Sequence, residues 1–151
     1  PVTGHRIDVT PADEQGVYDV TVACSSGTYV RTLAADLGEA LGGGAHLQNL
    51  RRTAVGSFTL AEAHPLESPV LLSMAEALRD LPGVVVDEAT AIDISYGKPL
   101  DAAVLGLDGA GLDVGGPWPV LGPDGSLLAV YGPHGDRPGR VKPYMVLAPA
   151  P

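Results

Sequence analysis

Tyr29 and Arg31 stand two positions apart at the mouth of an apolar helix-like run, and Arg51 and Arg52 follow a triple glycine. All four lie within one stretch, CSSGTYVRTLAADLGEALGGGAHLQNLRRT, from Cys24 to Thr53. An arginine in a first helical turn adds a fixed charge where the helix dipole already favours anions. Flanked by apolar residues, it invites a carboxylate or phosphate partner, and no neighbouring acid in the sequence is an obvious match. The plainer alternative is a tyrosine at a core edge and an arginine in a surface ion pair. If Leu50–Phe58 is a strand, Arg51 and Arg52 point to opposite faces. One is then placed for phosphate and the other for an internal pair, the alternative being two solvated charges.

Other chemistry in the chain is weaker. Ser25 and Ser26 occupy a strand-to-helix turn, but the glycines that flank a nucleophile elbow are missing, so they read as small turn residues. GGGAH follows a helix instead of opening one, which makes it a helix stop and hinge before a phosphate cradle. His5, His46, His64 and His134 have neither metal-ligand spacing nor cysteine partners, so no metal site is expected.

The elements that must position these residues follow from periodicity. Residues 5–10 and 17–24 alternate as an antiparallel strand pair around the turn PADEQG, with Val20, Val22 and Cys24 on one face. Thr28 is placed to cap a helix. Val30, Leu33, Ala34, Leu37 and Leu41 give it a buried face, and Gly42–Gly44 stop it. Leu50–Phe58 reads as a strand with Gly56 inside. Ser68-Pro69 opens a second helix carried by Leu71, Met74, Ala75 and Leu78 to Pro82-Gly83. Beyond this, 84–86 reads as a strand, 88–96 as a helix stopped by Gly97, and 106–119 as a glycine-rich loop. GPDG sits between two strands as a hairpin signal, and 141–147 is a last strand. The fold class is α+β. Short strands and tight turns after Pro82 predict a small barrel, with a domain boundary near that residue.

The 151 residues carry a net charge of −9, distributed unevenly. Residues 59–136 hold twelve acids against Arg79 and Lys98. Arg137, Arg140 and Lys142 form a basic end without an acid. A general nucleic-acid coat is excluded, but a local phosphate-binding patch is not, because screening over about 8–10 Å hides distant acids. A single cysteine, Cys24, excludes an internal disulfide and fits a reducing compartment. No apolar run reaches the ~18 residues of a membrane span, and no signal-peptide pattern is present. The expectation is a cytoplasmic, monomeric protein.

Taken together, CSSGTYVRTLAADLG and GGGAHLQNLRRTAVGSF resemble the TruB family, the bacterial tRNA pseudouridine synthases that modify a T-loop uridine. Residues 1–23 are similar to the strand pair preceding this block. YGKPL, the GPDG hairpin and the GRVKPYMVL ending look like the family's PUA-type RNA-binding barrel. The resemblance implies part of a mixed or antiparallel pseudouridine-synthase sheet with helices over 1–82 and a PUA-like β-barrel over 83–151. It implies that Arg31 pairs with the catalytic aspartate, that Tyr29 contacts the target uracil and that Leu50 packs on the base. Arg51, Arg52, Arg140 and Lys142 become RNA-binding candidates. The implied partner is the T-arm of tRNA, with no metal and no cofactor. A base inside an RNA fold must be extruded before its glycosidic bond is broken. The family's aspartate lies in an N-terminal motif that nothing here matches, and the chain opens at Pro1. The expectation is therefore the C-terminal half of such an enzyme, with its nucleophile supplied upstream. The rivals are a non-catalytic RNA-binding module that keeps the fold and a metabolite-binding α+β domain.

Overall fold

The computed structural model describes residues 2–107 and 115–148. Half of the predicted glycine-rich loop, residues 108–114, lies outside the described residues. The chain divides into two compact units, 1–52 and 53–151.

The first unit begins with an antiparallel ribbon of β1 (Gly4–Pro11) and β2 (Tyr18–Cys24), as the alternation predicts. Its register sets Ile7 opposite Val22, Val9 opposite Val20 and Pro11 opposite Tyr18. Directly opposed residues share a face, so these six form an apolar side, and Asp8, Thr10, Asp19 and Thr21 line the other. Ile7, Val9, Tyr18 and Val20 are nonetheless exposed. The ribbon leads through a turn into α1 (Val30–Ala40).

α1 stops where the glycines predict. Gly42 takes φ of +82°, a left-handed conformation open to glycine at little cost. Its N–H donates to the Glu39 carbonyl at 2.9 Å, and the Gly43 N–H donates to the Gly38 carbonyl at 3.0 Å. These two bonds make a Schellman stop.

The second unit opens with a hairpin, β3 (Ala54–Val55) and β4 (Phe58–Thr59), instead of the expected continuous strand. Gly56, at φ +56°, turns the chain, and the Asp80 carboxylate accepts the Ser57 N–H at 3.0 and 3.2 Å. Arg79 completes this latch. Its guanidinium stacks on Phe58 at 3.9 Å, donates to the Ser57 hydroxyl at 2.7 Å and pairs with Glu62 at 2.6 Å. That cation holds Glu62 below the usual carboxylate range, and the Ser57 hydrogen bonds do the same for Asp80.

The helix expected from Ser68-Pro69 shrinks to α2 (Met74–Ala77). Ser73 and Glu76 cap one another reciprocally and fix the start there. Leu71 is 92% exposed, so the upstream apolar positions have no surface to bury, and a helix without packing is marginal.

The rest is a five-stranded mixed sheet in the order β5-β7-β8-β9-β6. β5 (Val84–Val85) runs parallel to β7 (Trp118–Leu121). β7 pairs antiparallel with β8 (Leu127–Pro133) across the GPDG turn. β9 (Arg140–Val146) joins β8 to β6 (Leu100–Asp101), also antiparallel. α3 (Glu88–Ser95) is capped by Asp87, whose carboxylate accepts the Thr90 N–H at 2.8 Å. Trp118 lies opposite Tyr131 and Val120 opposite Ala129. These four, with Val141 and Ile94, are completely buried. Among the described residues, the buried hydrophobic side chains all lie between Val86 and Val141.

Candidate functional site

The Cys24–Thr53 motif is built on α1 and the turns at its two ends. Ser25 serves the first turn: its N–H donates to the Thr3 carbonyl and its hydroxyl accepts the Thr3 N–H, both at 2.9 Å. Thr28 does not cap the helix. Its hydroxyl donates to the Ser25 carbonyl at 2.9 Å, and the N-cap position belongs to Tyr29, whose extended backbone (φ −86°, ψ 102°) accepts the Leu33 N–H at 3.0 Å. No side chain caps this helix, and its first turn carries no acid. Sequence reasoning missed the cap because Thr28 is itself held by the turn before it.

Tyr29 is 79% exposed at this uncapped end, and Arg31 is exposed one turn-position inside it. The dipole and the guanidinium therefore act on the same solvent-facing patch. Among the described residues of the first unit only Gly38 is fully buried, while Thr28 and Val30 at the helix start are half-buried. Arg31 makes no ion pair within 4.0 Å among the described residues.

At the other end the chain folds back on α1. A methyl group added at Gly38 would lie 2.6 Å from the Ala45 Cβ and 2.9 Å from the Gly44 carbonyl carbon. GGGAH is thus a tight return against the third helical turn. Gly38 went unnoticed in the sequence because its close approach is to a residue outside the helix. Beyond the return, Leu50 is 65% exposed. Arg51 and Arg52 are exposed in irregular backbone, not in a strand, so the opposite-face argument lapses for them. The Gly56 turn and the Asp80 latch confine the strand to Ala54–Val55.

The basic end divides into two kinds of cation. Arg140 is half-buried, donates to the Pro99 carbonyl at 2.9 Å and lies 3.7 Å from the Asp101 carboxylate, so it ties β9 to β6. Arg137 and Lys142 are exposed and form no ion pair among the described residues. Among the described residues no three His, Cys, Asp or Glu side chains gather as a metal site requires, and no helix is long and apolar enough to cross a membrane.

Comparison with known proteins places this architecture. A chain in the "Structure of H/ACA RNP bound to a substrate RNA containing 2′-deoxyuridine" overlays with a TM-score of 0.76 at 22% identity, covering 99% of this chain and 55% of that one. A chain in the "Crystal Structure of a Cbf5-Nop10-Gar1 Complex" overlays with a TM-score of 0.74 at 20% identity, covering 99% and 53%. At these identities the likeness establishes the fold, an α+β architecture with a mixed sheet.

The family follows from sequence. The profile of the family described as tRNA pseudouridylate synthase B C-terminal domain matches residues 31–108. A tRNA pseudouridine synthase B of Arthrobacter sp. (strain FB24) is 42% identical over 160 residues, covering 99% of this chain and 51% of that protein. One from Corynebacterium aurimucosum is 44% identical over 146 residues, covering 91% and 46%. The chain belongs to the tRNA pseudouridine synthase B family, and it spans about half the length of the curated relatives it matches.

Proposed function

We propose that this chain is the C-terminal half of a tRNA pseudouridine synthase that isomerises a T-loop uridine, with the nucleophilic aspartate contributed by the preceding half of the parent enzyme. The observation that carries the reading is Arg31, a cation set in the first turn of an uncapped helix, beside an exposed tyrosine and without an ion-pair partner among the described residues.

In this reading Arg31 holds the incoming carboxylate ionised and aimed, since a nearby positive charge favours the charged form. Tyr29 and Leu50 take the two sides of the extruded uracil, an aromatic face and an apolar wall. Chain length allows this. α1 rises about 13 Å between Tyr29 and Gly38, and the return at Ala45 leaves a segment to Leu50 that spans at most about 17 Å when extended. The carboxylate displaces the base from the sugar carbon, breaking the glycosidic bond as it forms its own; a ring carbon of the same base then displaces the carboxylate, and the proton lost from that carbon ends on the nitrogen that left. Substrate and product are isomers, so the net reaction takes up and releases nothing, and no redox or group-carrying cofactor is called for.

The remaining assignments belong to the same reading. Residues 1–82 complete the catalytic domain, and 83–151 form a PUA-like RNA-binding module whose five strands curl toward a barrel. The apolar ribbon face of Ile7, Val9, Val20 and Val22 is covered by the preceding half. Arg51, Arg52, Arg137 and Lys142 contact tRNA phosphates, and Arg140 does so only beyond its internal partners. The enzyme works as a cytoplasmic monomer on the T-arm.

The test is to express the parent gene in full and assay an unmodified tRNA transcript for pseudouridine. Site-specific isomerisation that disappears with Arg31→Ala supports the reading. Tight tRNA binding without any isomerisation makes the chain part of an RNA-binding protein that keeps only the fold.

A further inference from the structure

The outer surface of β8 and β9 carries an aromatic side chain for which the fold leaves room. Gly132 on β8 is opposite Lys142 on β9. The register slips between Val130 and Tyr131, so Tyr131 faces Pro143 and Val130 faces Met145, with Tyr144 as the extra residue between them. The bulge redirects Tyr144, and its ring lies across Gly132: a methyl group built at that glycine would fall within the ring. Gly132 is buried as a result, yet Tyr144 remains 60% exposed, with an open outward side. Lys142 beside it and Arg137 in the preceding turn are exposed cations without ion-pair partners among the described residues.

An exposed ring seated on a bare backbone, with an exposed lysine two positions before it on β9 in a chain of net charge −9, matches how proteins hold single-stranded nucleic acid. The ring stacks on a base of any identity, and the cations follow the phosphates. We propose that Tyr144 is a stacking platform for an unpaired nucleotide of the substrate RNA, with Lys142 contacting its phosphate and Gly132 keeping the ring flat. This rests on the RNA-modifying reading above and adds a residue and a nucleotide class to it. Met145, also exposed, widens the apolar surface beside the ring.

The experiment measures binding of the full parent enzyme to three probes: an unmodified tRNA transcript, a mixed-sequence single-stranded RNA and a blunt RNA hairpin. Tyr144→Ala is expected to weaken the tRNA and single-stranded probes by roughly five- to a hundredfold, the range for one lost base stack. Its slope of log affinity against log salt should stay unchanged, because no phosphate contact is removed. Tyr144→Phe should bind like the parent. Lys142→Gln should flatten the slope by about 0.7, the single-strand value for one phosphate. Gly132→Val lifts the ring from the other side and should reproduce Tyr144→Ala, with circular dichroism confirming that each variant is folded. Equal losses on all three probes, or a Phe variant as weak as the Ala variant, overturn the platform. An enzyme that isomerises uridine but binds both probes undiminished with Tyr144→Ala overturns it while leaving the proposed activity standing. Single-stranded binding that depends on Tyr144, in a parent making no pseudouridine, supports the platform and removes the activity instead.

Discussion

Ala45 closes on Gly38 so tightly that no side chain fits between them, with only 2.6 Å from its Cβ to the place where one would begin at Gly38. This contact turns three glycines and an alanine into a defined return along α1. It also fixes how far the chain toward Leu50 can travel.

Gly38→Ala is therefore expected to destabilise the first unit, although alanine is the better helix former. The helical gain is up to about 1 kcal/mol, and the overpacking cost is about 1–3 kcal/mol. The clash involves backbone atoms that cannot swing aside, so the loss prevails. Thermal unfolding of the parent enzyme with and without the substitution measures the difference. A variant of raised stability would show that the return is loose in solution.

A second prediction concerns pH. The Tyr131 hydroxyl donates to the Lys98 carbonyl at 2.8 Å from a fully buried ring, and burial pushes its ionisation up to about 12 from 10.0, with Asp93 adding to the effect. The folded state keeps this proton between those values after the unfolded chain has lost it. Stability thus falls as pH rises from 10 toward 12, by about 2–3 kcal/mol from this group. Tyr131→Phe should cost about 1 kcal/mol at neutral pH through the lost hydrogen bond. The gap between variant and parent should close or invert above pH 10. Parallel stability curves for the two proteins would contradict the assignment.

Hydrogen exchange on the chain alone should divide it at about Arg52. Amides of β7, β8 and β9 surround the buried Trp118, Val120, Tyr131 and Val141 and should be protected most. The β1–β2 ribbon has an uncovered apolar face, and a two-stranded ribbon is marginal by itself. Its amides should exchange orders of magnitude faster, and slow again in the parent enzyme. Equal protection across both units would show that the ribbon needs no cover.

The basic end yields a fourth prediction. Arg137→Glu with Lys142→Glu should weaken tRNA binding and flatten its salt slope by about 1.6, at about 0.9 for a duplex phosphate at Arg137 and about 0.7 for the single-strand phosphate at Lys142. Adding Arg140→Glu should lower stability more than it changes the slope, because Arg140 is engaged with Pro99 and Asp101. A slope that ignores the double variant would make these cations a solubilising end.

What the sequence disclosed tracks how local each signal is. The β1–β2 pair, the Gly42 stop, α3 and the GPDG hairpin rest on neighbouring residues, and all are found where periodicity and turn chemistry put them. The α2 segment was overread, since Leu71 and its neighbours have helical spacing but nothing to pack on, and Ser73 with Glu76 sets the start later. The Leu50–Phe58 strand failed because Asp80, far along the chain, stabilises a turn at Gly56. The same distance effect hid Gly38 against Ala45 and Tyr144 over Gly132, which depend on a return and on a bulge in the register. Tyr29, Arg31 and Leu50 were singled out only through the resemblance of their motif, and all three are exposed. No local signal in the sequence discloses that exposure, because burial depends on what packs against a residue from elsewhere in the chain.

Arg31 is placed to act on the chemical step and not on affinity. The decisive measurement is single-turnover pseudouridine formation by the parent enzyme at saturating enzyme, alongside tRNA affinity, for Arg31→Ala. Loss of a fixed charge beside the reacting carboxylate should slow the chemical step on the order of a hundredfold or more, with tRNA affinity changed little. Unchanged single-turnover rates would contradict the central claim, as would a defect confined to affinity.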